Sequence, residues 1–308
     1  MLRAADLEAQ SPDDHWLIEG LWAREAIGLI GGAPKLGKSW LGLDMAVSVA
    51  SGSPALGHFP VADPGRTLVY LAEDSLPQVR SRIEGLCTHR GLDIGSLDLH
   101  VITAPTLRID LAADQQLLSA TLESLRPRLL ILDPLVRLHQ LDENSSAEIS
   151  KLLGFIRELQ RRFETAIALV HHASKRARSQ PGQSLRGSSD LHAIGDSNAY
   201  LARNGERLML TLEHRAASPP DPMEIELFVD DASGCAHLRV CDRVAAFASR
   251  ERLLADSVVE LLEREGRPMP RTGIRAELRV NNARLGTALE QLSNDGRIER
   301  AGQAWALI

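Results

Sequence analysis

Short, wholly apolar runs alternate with amphipathic stretches over the first 170 or so residues. Ile27-Gly28-Leu29-Ile30, Thr67-Leu68-Val69-Tyr70-Leu71, His100-Val101-Ile102, Leu129-Leu130-Ile131-Leu132 and Ala166-Ile167-Ala168-Leu169-Val170 are each of strand length. Apolar residues at helical spacing fill 40–50, 76–90, Ala113–Leu125 and 146–163. Strands apolar at nearly every position bury both faces, so the alternation predicts βαβ units and a mainly parallel sheet covered by helices on both sides. The grammar then changes. Arg207–Glu213, Met223–Val229 and Ala236–Val240 read as strands, separated by Ala216-Ala217-Ser218-Pro219-Pro220-Asp221-Pro222 and Asp231-Ala232-Ser233-Gly234. They predict an antiparallel meander closing the sheet. From about Ala245 helical spacing returns in Arg250–Glu265, Arg271–Leu278 and Ala283–Leu292. A turn at Ala301-Gly302 then joins two short strand-like segments.

The junction after the first strand carries the clearest chemistry. Gly32-Ala33-Pro34-Lys35-Leu36-Gly37-Lys38-Ser39 is a complete G-x-x-x-x-G-K-S loop between a strand and a helix. Glycines there let backbone N–H groups close around phosphate oxygens, and the helix N-terminus adds a favourable dipole. Lys38 is expected to reach the β- and γ-phosphates, Ser39 to hold Mg²⁺, and Trp40 to complete the nucleotide-binding set. The expected cofactors are ATP and Mg²⁺.

Hydrolysis also needs a metal carboxylate, a base for water and a group that senses the γ-phosphate. Asp133 ends the run Leu129–Leu132, which puts it at the C-terminal edge of the sheet, where open α/β sheets bind ligands. It is the expected second metal residue. Pro134 follows it, so no acid stands beside it. The base is expected instead after the preceding strand, at Glu73, with Asp74 the alternative or a cap for the helix at 76. His171 and His172 end the strand after Val170, and a neutral imidazole there can read the nucleotide state. Beyond them runs 173–189, with Lys175, Arg176, Arg178 and Arg186 and no acid. That basic loop is the expected grip on a phosphate backbone.

Composition narrows the picture. At 308 residues the chain holds one large domain, placed at 1–244, and a small one at 245–308. The net charge of −6 excludes a polycation that coats nucleic acid all over, but not a local basic channel. Cys87, Cys235 and Cys241 form no metal-type pair, and no apolar run spans a bilayer. Reduced thiols and the missing signal core place the chain in the cytoplasm, away from membranes. Three helices and a hairpin outline a winged helix-turn-helix for 245–308. Its third helix offers Asn281, Asn282, Arg284 and Thr287 to a DNA groove. Residues 246–308 carry ten Arg and nine acids, a balance equally suited to protein contacts.

Together, Gly32–Ser39, Tyr70-Leu71-Ala72-Glu73-Asp74, Leu132-Asp133-Pro134-Leu135-Val136-Arg137, His171-His172-Ala173-Ser174-Lys175 and Arg186-Gly187-Ser188-Ser189 resemble the RecA-like ATPases of the RepA type, which include plasmid hexameric replicative helicases. The resemblance runs over roughly 15–240. It implies an α/β RecA-like P-loop fold, homo-oligomers such as hexameric rings, ATP hydrolysis at subunit interfaces, Glu73 as catalytic acid/base and His172 as sensor. It also implies single-stranded DNA as partner, held by loops at the ring's centre. The family's acidic segment corresponds to Asp142-Glu143-Asn144, which could equally cap the helix at 146. The chain departs from the family where an arginine finger is expected, since 190–196 has no Arg; Arg186, Arg203 and Arg215 are the substitutes, Arg215 preferred. A nucleotide-switched DNA-binding regulator, its ATPase controlling oligomerisation, is the competing reading.

Overall fold

The computed structural model describes residues 3, 15–143, 145–172, 189–230, 235–241, 243–278, 280, 282–302 and 304–307, without the side chains of 189–190, 243–253, 282–284, 287 and 291. They fall into two compact units, Met1–Val240 and Cys241–Ile308.

The first unit opens on a two-stranded antiparallel sheet, β1 (Trp16–Ile18) with β2 (Trp22–Ala23). The elements that follow are β3 (Ile27–Gly32), α1 (Lys38–Ser51), β4 (Thr67–Leu71), α2 (Leu76–Arg90), β5 (Leu99–Val101), α3 (Ala112–Leu125), β6 (Leu129–Asp133), α4 (Ser146–Phe163) and β7 (Ala166–His172). The short α5 (Ser189–Ala193) precedes β8 (Ser197–Asn204), β9 (Arg207–His214), β10 (Met223–Val229) and β11 (Ala236–Val240). The last nine of these strands form one sheet in the order β11-β10-β9-β8-β3-β7-β6-β4-β5. From β8 to β5 every pairing is parallel, and β9, β10 and β11 continue antiparallel.

Alternation along the strands sorts the core into two layers. Ile30, Val69, Ile131, Ala168 and Val170 face Leu41 and Met45 of α1 and Val79 and Ile83 of α2. Leu29, Leu68, Tyr70, Leu130, Leu132 and Leu169 pack with Leu118 and Leu122 of α3 and Leu152 and Ile156 of α4. Both faces are therefore dry, which is why these strands read as unbroken apolar runs. A buried ion pair ties α1 to α2: Arg90 Nη2 lies 2.5 Å from Asp44 Oδ2, whose other oxygen accepts from Leu56 N.

Two pieces lie outside the sequence reading. β8, inserted between β3 and the meander, has Ser197, Asn198 and Ala199 at buried positions instead of an apolar run. Neighbouring strands satisfy those polar groups: Ala23 N donates to Ser197 Oγ, and Leu29 N to Asn198 Oδ1. The β1–β2 sheet is likewise too short to show a period, and it holds the fully buried Trp22.

The second unit has its own core. It comprises α6 (Arg243–Glu265), β12 (Met269–Pro270), α7 (Arg271–Leu278), α8 (Asn282–Asn294), β13 (Ile298–Ala301) and β14 (Ala304–Leu307), with a three-stranded sheet ordered β12-β14-β13. Val258, Leu262, Ile274, Leu285, Leu289 and Ile298 form its centre. α6 begins at Arg243 rather than Arg250, because the alanine-rich 243–249 extends the helix.

Candidate active site

Register brings the predicted residues to one edge of the sheet. Gly32 at the end of β3 pairs with His172 at the end of β7, and Leu71 of β4 with Asp133 of β6. β6 lies between β7 and β4, so the ends of all four strands stand side by side. Ala72 N donates to Asp133 O at 2.7 Å, holding the segment before Glu73 against that edge.

The loop between β3 and α1 needs unusual backbone at three places. Gly32 has φ 151°, and a Cβ there would sit 2.4 Å from Leu201 O of β8. Lys35 and Gly37 have φ 63° and 87°, and Gly37 is the residue from which α1 starts. Left-handed residues between right-handed ones turn successive N–H groups toward a common point, the backbone form that holds anions. Ala33, Pro34 and Lys35 are exposed, whereas Leu36 is buried and anchors the loop to the core. Lys38 is buried, its Nζ donating to Ala33 O at 2.7 Å. Burial pushes the Lys38 ammonium below the usual lysine range, against the pull of Asp133 and Glu73. It is a cation held inside its own loop.

Asp133 is the most perturbed acid of the site. Burial raises its carboxyl to about 6; a hydrogen bond with Ser39 works against that, while Asp74 adds to it. Lys38 also lowers it and Glu73 also raises it. A hydroxyl and a buried, undercompensated carboxylate in contact are the hard-oxygen donor set that Mg²⁺ takes. The residues present fit that ion. The peptide bond from Asp133 to Pro134 is cis.

Glu73 is exposed and accepts from Arg137 Nε at 2.9 Å. Asp74 is held by Arg82, which also lies over the Trp40 ring at 5.3 Å from its centroid. Neither acid caps α2. Ser75 does so, with Ser75 N donating to Gln78 Oε1 at 3.0 Å. On β7, His171 is buried and His172 half-buried, on opposite faces of the strand. His171 Nδ1 lies 3.9 Å from Glu143 Oε1, and His139 Nε2 lies 3.8 Å from the same oxygen. Of the acidic segment, Asn144 is outside the described residues; Ser145 starts α4, and Asp142 N donates to Glu148 Oε2.

Sequence reasoning gave no role to Arg137, Arg82 or His139. Arg137 had a signal, since it is the first cation after the strand-terminal acid; the pairings of the other two arise only from tertiary packing. Lys175, Arg176, Arg178, Arg186 and Asn281 lie outside the described residues, as do the side chains of Asn282 and Arg284. Among the substitutes for an arginine finger, Arg215 pairs within its own chain with Asp196 at 2.8 Å, and Arg203 donates to Glu206 O.

Residues 1–178 match the model of one protein family, described as the AAA domain. The chain belongs to the AAA domain family. The match takes in the phosphate loop, Glu73, Asp133 and all of β7, and marks an ATPase-type, nucleotide-binding domain. β8 to β11 and the second unit of this AAA domain protein lie beyond the matched residues. No curated protein matches the chain. No described helix is long and apolar enough to cross a membrane.

Proposed function

We propose that this AAA domain protein is a DNA-dependent ATPase of the RecA-like, RepA type, a motor or clamp on single-stranded DNA that works as a homo-oligomer. The observation that carries the reading is the convergence of Lys38, the Ser39–Asp133 pair and Glu73 at one sheet edge. ATP phosphates occupy the loop Gly32–Ser39, and Lys38 exchanges Ala33 O for phosphate oxygens. Ser39 and Asp133 would hold Mg²⁺, which when bound would supply positive charge to the phosphates. Glu73 orients a water and accepts its proton as the water oxygen attacks the γ-phosphorus. The bond from that phosphorus to the bridging oxygen breaks, leaving ADP and phosphate. His172, level with Gly32, reads the γ-phosphate and passes its state to the basic loop beyond β7.

Residues 245–308 are assigned as a separate winged helix-turn-helix domain. The order helix, strand, helix, helix, hairpin in that unit supports it.

The test is steady-state ATP hydrolysis with and without a single-stranded oligonucleotide. Stimulated turnover is expected in the wild type, binding without turnover in Glu73→Gln, and no nucleotide binding in Lys38→Ala. Slow turnover indifferent to DNA would make the chain a nucleotide-switched DNA-binding regulator instead.

A further inference from the structure

A cavity of about 490 Å³ opens beside Glu73, lined also by Thr106, Arg108, Arg137, His139 and Gln140. Its volume falls in the range of small-molecule sites and is far more than a bare phosphate fills. Its two arginines differ in how they are held. Arg108 is locked to Asp110 through two bonds, Nε to Oδ1 at 2.9 Å and Nη2 to Oδ2 at 2.6 Å. Gln140 N donates to the same carboxylate, so Arg108 is a fixed, charge-matched part of the wall. Among the described residues Arg137 pairs with the exposed Glu73, through Nε alone. Both side chains are at least half exposed, and ion pairs in such surroundings are weak and exchangeable. His139 is a buried part of the wall: Leu141 N donates to its Nδ1, and its Nε2 lies 3.8 Å from Glu143 Oε1.

We infer that this cavity is a subsite for one phosphodiester of a single-stranded nucleic acid, and that Arg137 is the latch joining it to Glu73. The inference rests on the reading of Glu73 as the group that activates water. With Glu73 paired to Arg137, the carboxylate is restrained away from the water it must orient. A phosphate in the cavity competes for the same guanidinium, and planar guanidinium binds phosphate through paired N–H groups better than it binds one carboxylate oxygen. Once Glu73 lets go, Arg108 remains matched by Asp110, and Arg137 is the guanidinium left to pair with one phosphodiester. A cavity of this size also admits the sugar attached to that phosphate. Nucleic acid thereby stimulates turnover by freeing the carboxylate, with no movement of the sheet. Arg137 acts through Glu73 and is a positioning residue.

The experiment compares wild type, Arg137→Gln and Arg137→Lys for ATP turnover alone, with an oligothymidylate, with a nucleoside monophosphate and with inorganic phosphate. Nucleotide affinity is measured in each. Arg137→Gln should raise turnover without nucleic acid about fivefold, what an exposed ion pair can hold back. It should also bring stimulation by the oligonucleotide close to one, with ATP affinity unchanged. Arg137→Lys should restore both the low resting rate and part of the stimulation. Unchanged resting turnover and intact stimulation in Arg137→Gln would overturn the latch, as would lost turnover at unchanged ATP affinity. Equal stimulation of the wild type by inorganic phosphate or the monophosphate, or none by the oligonucleotide, would overturn the assignment to nucleic acid. Glu73→Gln separates the two levels: wild-type turnover in that variant defeats the reading of Glu73 itself, whatever Arg137 does.

Discussion

Asp133, proposed as a metal carboxylate, is a buried acid that costs its own fold stability. Its carboxyl titrates at about 6 against an ordinary 3.8, chiefly because it is buried. The folded chain therefore binds this proton more tightly than the unfolded chain. The contribution to stability is full below the unfolded value and is lost as pH rises through about 6. At neutral pH the ionised group costs the protein, free of nucleotide and metal, about 3 kcal/mol. Asp133→Asn keeps a partner for Ser39 and removes the charge. Thermal melts without nucleotide or metal should place it about 5 °C or more above the wild type at pH 8, with the gap about halved at pH 5 and closed only below the unfolded value of 3.8. The same variant should lose Mg²⁺-dependent turnover. A lower melting temperature at pH 8 would mean that Asp133 is compensated in the folded chain. Such opposition between stability and site chemistry is common where burial tunes a group.

At the level of elements, β3 is shaped by its neighbour β8. A Cβ on Gly28 would lie 1.5 Å from Ser197 O, and one on Gly32 would lie 2.4 Å from Leu201 O. The two glycines let the backbones approach closely enough for β8 to pair alongside the phosphate-loop strand. Their spacing of four puts both on the same face of β3, toward the same partner. Gly28→Ala cannot relax by a side-chain shift, because the obstacle is a backbone carbonyl. It should destabilise the first unit by about 4 kcal/mol or more in denaturant unfolding, a value reached by few single substitutions. A loss under about 1 kcal/mol would mean that β8 can move off β3 freely. The sequence makes β3 plain through Ile27, Leu29 and Ile30, yet gives no sign of β8, whose buried Ser197 and Asn198 are tolerable only with Ala23 N and Leu29 N donating to them.

Across the whole molecule, each unit encloses a core of its own. A chain ending at residue 245 keeps every strand of the nine-stranded sheet and every residue of the candidate site. It should stay soluble and folded by circular dichroism, with resting ATP turnover within about twofold of the full chain, since a unit with its own core can fold alone. Insolubility of this fragment would show that 246–308 completes the larger unit. Residues 173–188 of the basic loop proposed to grip nucleic acid lie outside the described residues, so their contribution is a matter for binding measurements on the full chain.

The sequence by itself determined the parallel core, the edge at which chemistry gathers and the identity of the phosphate loop. These follow from local rules: apolar runs for strands buried on both faces, glycines for a backbone curled around anions, and an acid at a strand end for a metal. Tertiary structure decided what depends on residues distant in sequence. It put β7 between the strands of Gly32 and Asp133, slid the polar β8 beside β3, and gave Glu73 to Arg137 and Asp74 to Arg82. Glu73 and Arg137 stand 64 positions apart, and neither carries a local mark of the other. Periodicity reports which face of an element is buried; it holds no information on which polar group waits across the fold.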